Sequence, residues 1–154
     1  MSHTDEAQAV VTAPRDDVFA ALVDEDARTV WLPPAGMSGR FTHFDARAGG
    51  GYCLVLTYDD EATLGKSGGN TDVVEVRFVS VDAPRRLVEE ADFVSDDPRF
   101  AGTMTLTWAL EPVDGGTRVA ITATGVPDGI SSADHAAALA STLGNLDGYV
   151  SRRT

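Results

Sequence analysis

Residues 131–150 read SSADHAAALASTLGNLDGYV. Ala and Leu, both strong helix formers, dominate the stretch. Ser131-x-x-Asp134 is a capping-box signal for a helix start. Leu139, Leu143, Leu146 and then Tyr149 or Val150 recur at intervals of three and four, which is one apolar face of an α-helix. His135 stands one turn before Leu139 and extends the same stripe. A helix with such a stripe buries it against a partner, and the partner lies in the preceding residues.

Those residues read as a series of strands. Residues 7–13 (AQAVVTA) predict a short first strand. Pro14 suits a first helical turn, and Asp16 and Asp17 suit the positive start of a helix. Val18, Phe19, Leu22 and Val23 share one face of a short helix. Residues 24–31 (DEDARTVW) predict a second, anchored by Trp31 and stopped by Pro33-Pro34. Six strands follow, over 39–47, 51–59, 72–81, 85–94, 102–111 and 117–125. Alternation is clearest in 102–111, where Met104, Leu106, Trp108 and Leu110 oppose Thr103, Thr105 and Thr107. The order is therefore β-α-α, six strands, then α. A sheet of about seven antiparallel strands buries one face and wets the other. Only the C-terminal helix is long enough to cover the apolar face. The fold class is α+β, in a single domain spanning 1–154. His135 then sits at the open end of the gap between helix and sheet.

Bulk properties narrow the functional classes. A chain of 154 residues buries roughly 70% of its unfolded surface without covalent staples. Its net charge of −12 repels phosphate backbones, so no nucleic acid and no anionic membrane is expected as partner. The N-terminus, MSHTDEAQ, has neither the basic nor the apolar region of a signal peptide. No apolar run approaches the ~18 residues of a membrane span. A cytoplasmic, soluble protein is the expectation. The bases are nearly all Arg, with Lys66 the single lysine, a bias of GC-rich bacterial coding.

Four segments carry a resemblance. They are VTAPRDDVFAALVDEDARTVWLPP (11–34), FDARAGGGY (44–52), VDAPRRLVEE (81–90), and TMTLTWALEPVDGGTRVAIT (103–122) followed by DHAAALASTLGNLDGYV (134–150). In this order they resemble the SRPBCC (START-like) superfamily. Within it they are similar to proteins like the C-terminal domain of the activator of the 90-kDa heat-shock chaperone ATPase. The resemblance implies a helix-grip fold, with a curved antiparallel sheet wrapped around the long C-terminal helix. It also implies an apolar cavity between them, which in the superfamily takes lipids, sterols, polyketides or other hydrophobic molecules. The chain departs from the family in two places. Ala138-Leu139 stands where many members have Gly-Trp, which enlarges the cavity. The loop 59–72 is longer and more polar than usual, and is read as a hairpin tip.

Gly65-Lys66-Ser67 fails as a phosphate loop because position 60 is Asp60, not Gly. Gly49, Gly50 and Gly51 join two strands and read as a turn or bulge. His3, His43 and His135 are scattered, and Cys53 is the single cysteine, so no disulfide, metal site or cofactor is expected. No nucleophile stands beside a base, and Ser141 is two turns from His135. Acid–base work would need His135 with Glu89, Glu90 or Asp92, and the sequence does not say which of the three faces inward. The structural alternative for His135 is a capping or packing histidine. The leading reading is a cavity binder of a hydrophobic small molecule (lipid, sterol, flavonoid or polyketide-like). Its candidate lining is Trp31, Phe41, Tyr52, Leu54, Leu56, Tyr58, Val76, Phe78, Phe93, Met104, Leu106, Trp108, His135, Leu139 and Leu143, of which part is ordinary core. Tyr52, Tyr58 and Trp108 have polar tips that need partners when buried. The alternatives are a cyclase-, dehydratase- or hydrolase-type enzyme in the same cavity, and a co-chaperone for the 90-kDa heat-shock protein. No protein partner is identified.

Overall fold

The computed structural model describes residues 3–34, 36–60, 62 and 69–152. The Gly65-Lys66-Ser67 segment and half of the loop 59–72 lie outside the described residues. Strand β1 (His3–Val11) is followed by helices α1 (Arg15–Leu22) and α2 (Glu25–Trp31). Then come β2 (Met37–Asp45), β3 (Gly51–Tyr58), β4 (Thr71–Asp82), β5 (Arg86–Phe93), β6 (Met104–Val113) and β7 (Gly116–Val126). Helix α3 (Ser132–Ser151) closes the chain. The seven strands form one antiparallel sheet in the order β1-β7-β6-β5-β4-β3-β2. It is the expected α+β helix-grip architecture, an open curved sheet with a long C-terminal helix.

Local chemistry accounts for most element boundaries. Asp24 caps α2, its carboxylate accepting from the Ala27 N–H at 2.8 Å. Ser131 caps α3 in the same way, accepting from the Asp134 N–H at 3.1 Å. Such caps satisfy donors that a helix start leaves open. In the β2–β3 turn, Gly49 has φ +86°, a conformation that side chains disfavour. A Cβ on Gly51 would lie 2.1 Å from the Val76 carbonyl oxygen, so β3 can pair with β4 here only as glycine.

Three departures from the sequence reading have physical reasons. β1 begins at His3, four residues before the expected start, because the polar segment His3–Glu6 pairs with β7. Asp5 faces inward there, which alternation alone would not recommend. In β2 the register shifts between Phe41 and His43. That bulge brings Phe41 and Phe44, an odd interval apart, against the same ring of Tyr52 at 5.1 and 5.6 Å. A short 3-10 turn, Pro98–Phe100, lies between β5 and β6 and was not anticipated.

Helix α3 runs alongside β1 in the same direction, held at both ends. Near its start, His135 Nδ1 is 2.8 Å from Asp5 Oδ2. Near its end, the Thr12 N–H donates to Asp147 Oδ1 at 2.9 Å. Between them Leu139, Leu143 and Leu146 are buried in the core. His3 Nε2 also lies 2.9 Å from Asp5 Oδ2, an electrostatic contact without hydrogen-bond alignment.

Burial pushes the Asp5 carboxyl up, but the hydrogen bonds of His135 and Ser132 and the charge of His3 outweigh it and hold it below its ordinary value of 3.8. A carboxyl depressed in the folded state stabilises the fold above its unfolded pKa, and that contribution is lost as pH falls through the folded pKa. Wild-type protein is therefore expected to lose more stability than Asp5→Asn between neutral pH and about pH 3. Urea midpoints of both proteins at each pH measure the difference; parallel losses would show that Asp5 does not anchor α3 electrostatically.

Candidate functional site

The inward face of the sheet can be followed along its register. One row runs Phe78–Glu89–Leu106–Ala123–Asp5 across β4, β5, β6, β7 and β1. His135 continues it from α3 through its contact with Asp5. On one side of this row the space under the helices is filled. On the other side the apolar wall stays half-exposed.

The filled side is built on Arg28. Ala27, Arg28 and Trp31 form the buried face of α2, and Arg28 is 0% exposed. Its Nη1 donates to the Tyr52 hydroxyl at 2.9 Å, its Nη2 to Glu89 Oε1 and its Nε to the Leu22 carbonyl oxygen. The Tyr52 hydroxyl faces Glu89 Oε2 at 3.4 Å. Four rings surround the guanidinium: Trp31 at 5.4 Å, Tyr52 at 5.3 Å, Phe78 at 5.7 Å and Trp108 at 5.9 Å. Cation–π attraction is strongest in a desolvated setting of this kind. Burial works against the Arg28 charge, but Glu89 and Tyr52 outweigh it and the guanidinium is held more firmly protonated than usual. Burial and the Glu89 charge push the Tyr52 phenol up, so it stays a neutral hydroxyl. The Trp31 indole N–H donates to the Ala21 carbonyl at 3.0 Å.

The half-exposed side carries Leu56, Val74, Phe93 and Leu106, with Phe41 at its margin. Leu54, Val74 and Phe93 share one register row on this side. Tyr58 is half-buried there, and its hydroxyl reaches Asp72 Oδ2 at 3.3 Å. Val76 and Met104 lie buried between the two sides, and Leu139 and Leu143 of α3 are buried in the same core. Trp31, Tyr52, Phe78 and Trp108 thus gather around Arg28, Leu106 pairs with Glu89 on the dividing row, and Val74 and Phe93 lie two register rows away.

The carboxylates divide in a way the sequence left open. Glu89 faces inward to Arg28. Glu90 and Asp92 both engage Arg77, with Asp92 bonded at 2.8 Å and also accepting from Thr103 at 2.6 Å. The partner of His135 is Asp5, from the opposite end of the chain. Arg28 was missed from the sequence. Its signal is its position three residues before Trp31, on the same helical face. A separate crevice of about 480 Å³ lies between α1, α2 and the end of α3. Asp17, Ala20, Val23, Asp24, Ala27 and Tyr149 line it, and none of these was a sequence candidate.

Removing one partner of a buried ion pair strands the other charge, at a cost of about 3–5 kcal/mol. Arg28→Met is expected to destabilise by that amount. The triple variant Arg28→Met/Tyr52→Phe/Glu89→Leu removes every polar member together and is expected to recover most of the loss, because apolar replacement of a buried pair is often neutral. Urea unfolding of the variants decides, and a triple variant as weak as the single one would contradict this account.

The comparisons follow the same architecture. A structure from Chromobacterium violaceum is 26% identical over 96% of each chain, with TM-score 0.85. One from Arthrobacter aurescens is 19% identical, covering 97% of this chain and 86% of that one, with TM-score 0.80. The AHSA1-like protein of Aeromonas hydrophila is 20% identical over 98% of this chain and 94% of its own, with TM-score 0.74. The last two likenesses are of fold. No curated protein matches the chain. The family profile described as Activator of Hsp90 ATPase homolog 1-like protein matches residues 12–151, from the residue after β1 to the last residue of α3, and the chain belongs to that family of the START-like superfamily.

Proposed function

We propose that this protein binds a hydrophobic small molecule between its sheet and the N-terminal half of α3. The fold of the family supports ligand binding in general terms. The observation that carries the finer reading is the asymmetry of the inward face. Leu56, Val74, Phe93 and Leu106 point inward yet stay half-exposed, while the neighbouring rows are packed around Arg28. Exposed apolar wall costs about 25 cal/mol per Å² relative to burial, so an apolar ligand has a driving force to cover it. In this reading Leu54, Val76, Met104, Leu139 and Leu143 form the floor, and His135 and Tyr58 orient polar groups at the mouth. Trp31, Tyr52 and Phe78 belong to the rigid end wall. Lipids, sterols, flavonoids and polyketide-like molecules are the classes to present.

Amide shift mapping with such a panel tests the reading. Expected shifts cluster at 54–56, 74, 93, 106 and 135–143. Shifts at Ala20 and Tyr149 instead would move the site to the helical crevice, and no shift with any class would sink small-molecule binding. Leu106→Trp fills the wall, and overpacking of about 1–3 kcal/mol makes a roughly tenfold loss of affinity the expected outcome for any ligand the panel selects.

A further inference from the structure

Two tryptophans are buried beside Arg28, and their indole nitrogens differ. The Trp31 N–H reaches the Ala21 carbonyl. Trp108 is 3% exposed, and its N–H has no hydrogen-bond partner among the described residues. Buried donors are nearly always paired, so an unpaired one calls for a physical reason. Trp108 follows Leu106 by two residues on the inward face of β6, about 7 Å along the strand. It therefore stands where the half-exposed wall meets the Arg28 end wall. From Phe93 the register runs through the Ala91–Met104 row and the Glu89–Leu106 row to Leu87–Trp108.

We infer that the ligand carries a neutral acceptor oxygen, a ketone or similar carbonyl, that accepts the Trp108 indole N–H at the inner end of the cavity. The inference rests on the cavity reading above and deepens it. The charge balance selects a neutral group. Arg28 is already matched by Glu89, and Tyr52 bridges the two. A carboxylate would bring an uncompensated charge into this end, and burial penalises that strongly. A carbonyl brings one acceptor for one orphan donor. A hydrocarbon would leave the donor as it is.

Matched pairs that differ by one carbonyl make the test: benzophenone against diphenylmethane, and flavanone against flavan. The readout is the two indole ¹⁵N–¹H resonances, assigned with Trp31→Phe and Trp108→Phe, together with the dissociation constants. The ketone of at least one pair is expected to bind about fivefold more tightly than its carbonyl-free partner, the worth of one net hydrogen bond. It should move the Trp108 indole proton downfield and leave Trp31 in place. Trp108→Phe should abolish the preference and keep binding of the carbonyl-free member; where that variant does not fold, the wild-type indole shift still decides. Equal affinities within both pairs and an unmoved Trp108 resonance, with shifts at Leu106 and Phe93, would overturn this inference and leave cavity binding standing. Absence of binding by all four compounds would overturn this inference, and the lipid, sterol and polyketide-like members of the panel above would then decide cavity binding.

Discussion

The ion pair of Arg28 with Glu89 joins a helix to the middle of the sheet across 61 residues of sequence. Taking two charges out of water costs several kcal/mol per ion, and only close contact and full hydrogen bonding offset it. Here the offset is assembled from many places: the Leu22 carbonyl ending α1, the Tyr52 hydroxyl on β3, Glu89 on β5, and rings from α2, β3, β4 and β6. Each of those elements must be in place for the pair to be tolerated. The pair also has volume. It fills the space under α2 that aliphatic side chains would otherwise need to fill.

The other constraint is how α3 is held. Polar tethers near the two ends of α3, His135 to Asp5 and Asp147 to the Thr12 N–H, go to β1 and the residue that follows it. β1 is one edge of the sheet, and β3 and β4 lie near the other. A helix fixed along one edge covers the nearest strands well and the far strands less. Val119, Ile121 and Ala123 of β7 are essentially buried, whereas Leu56 of β3 and Val74 of β4 are half-exposed on the same face. The half-exposed wall is thus a consequence of topology and tethering rather than of a shortage of apolar residues.

The parts of this arrangement differ in how legible they are in the sequence. Alternation with period two in β4, β6 and β7 and the three-four spacing in α3 are local, and the elements fall close to where those patterns place them. Ser131 and Asp24 cap helices as their positions suggest. The start of β1 was not legible, because His3–Glu6 carries no strand pattern and is extended by pairing with β7. The shared contact of Phe41 and Phe44 with Tyr52 depends on a bulge that regular alternation forbids. Arg28 was hidden by the general rule that arginine is exposed. Which of Glu89, Glu90 and Asp92 faces inward was open in the sequence and is settled by the burial of Glu89. The demand of that carboxylate for a cation therefore could not point to Arg28, whose remaining signal was its place three residues before Trp31.

The carboxylate partners also bear on what the site can do. Glu89 is committed to Arg28, and Glu90 and Asp92 to Arg77, so the strand 85–94 offers His135 no base or acid. Asp5 takes that place, and it meets His3 as well as His135. A carboxylate that fixes one ring nitrogen of a histidine leaves the other to face what lies beside it. Through Asp5 and Ala123, His135 stands on the same register row as Leu106, while the polar core around Arg28 is already balanced. Under the proposed function, recognition has polar points at His135 and Tyr58 outside and at the Trp108 N–H inside, joined by an apolar wall. A ligand that satisfies both ends must be long enough to span from Ala123 and Leu106 to the Arg28 cage. Length and the spacing of its oxygens, more than apolar bulk, would then separate one hydrophobic molecule from another.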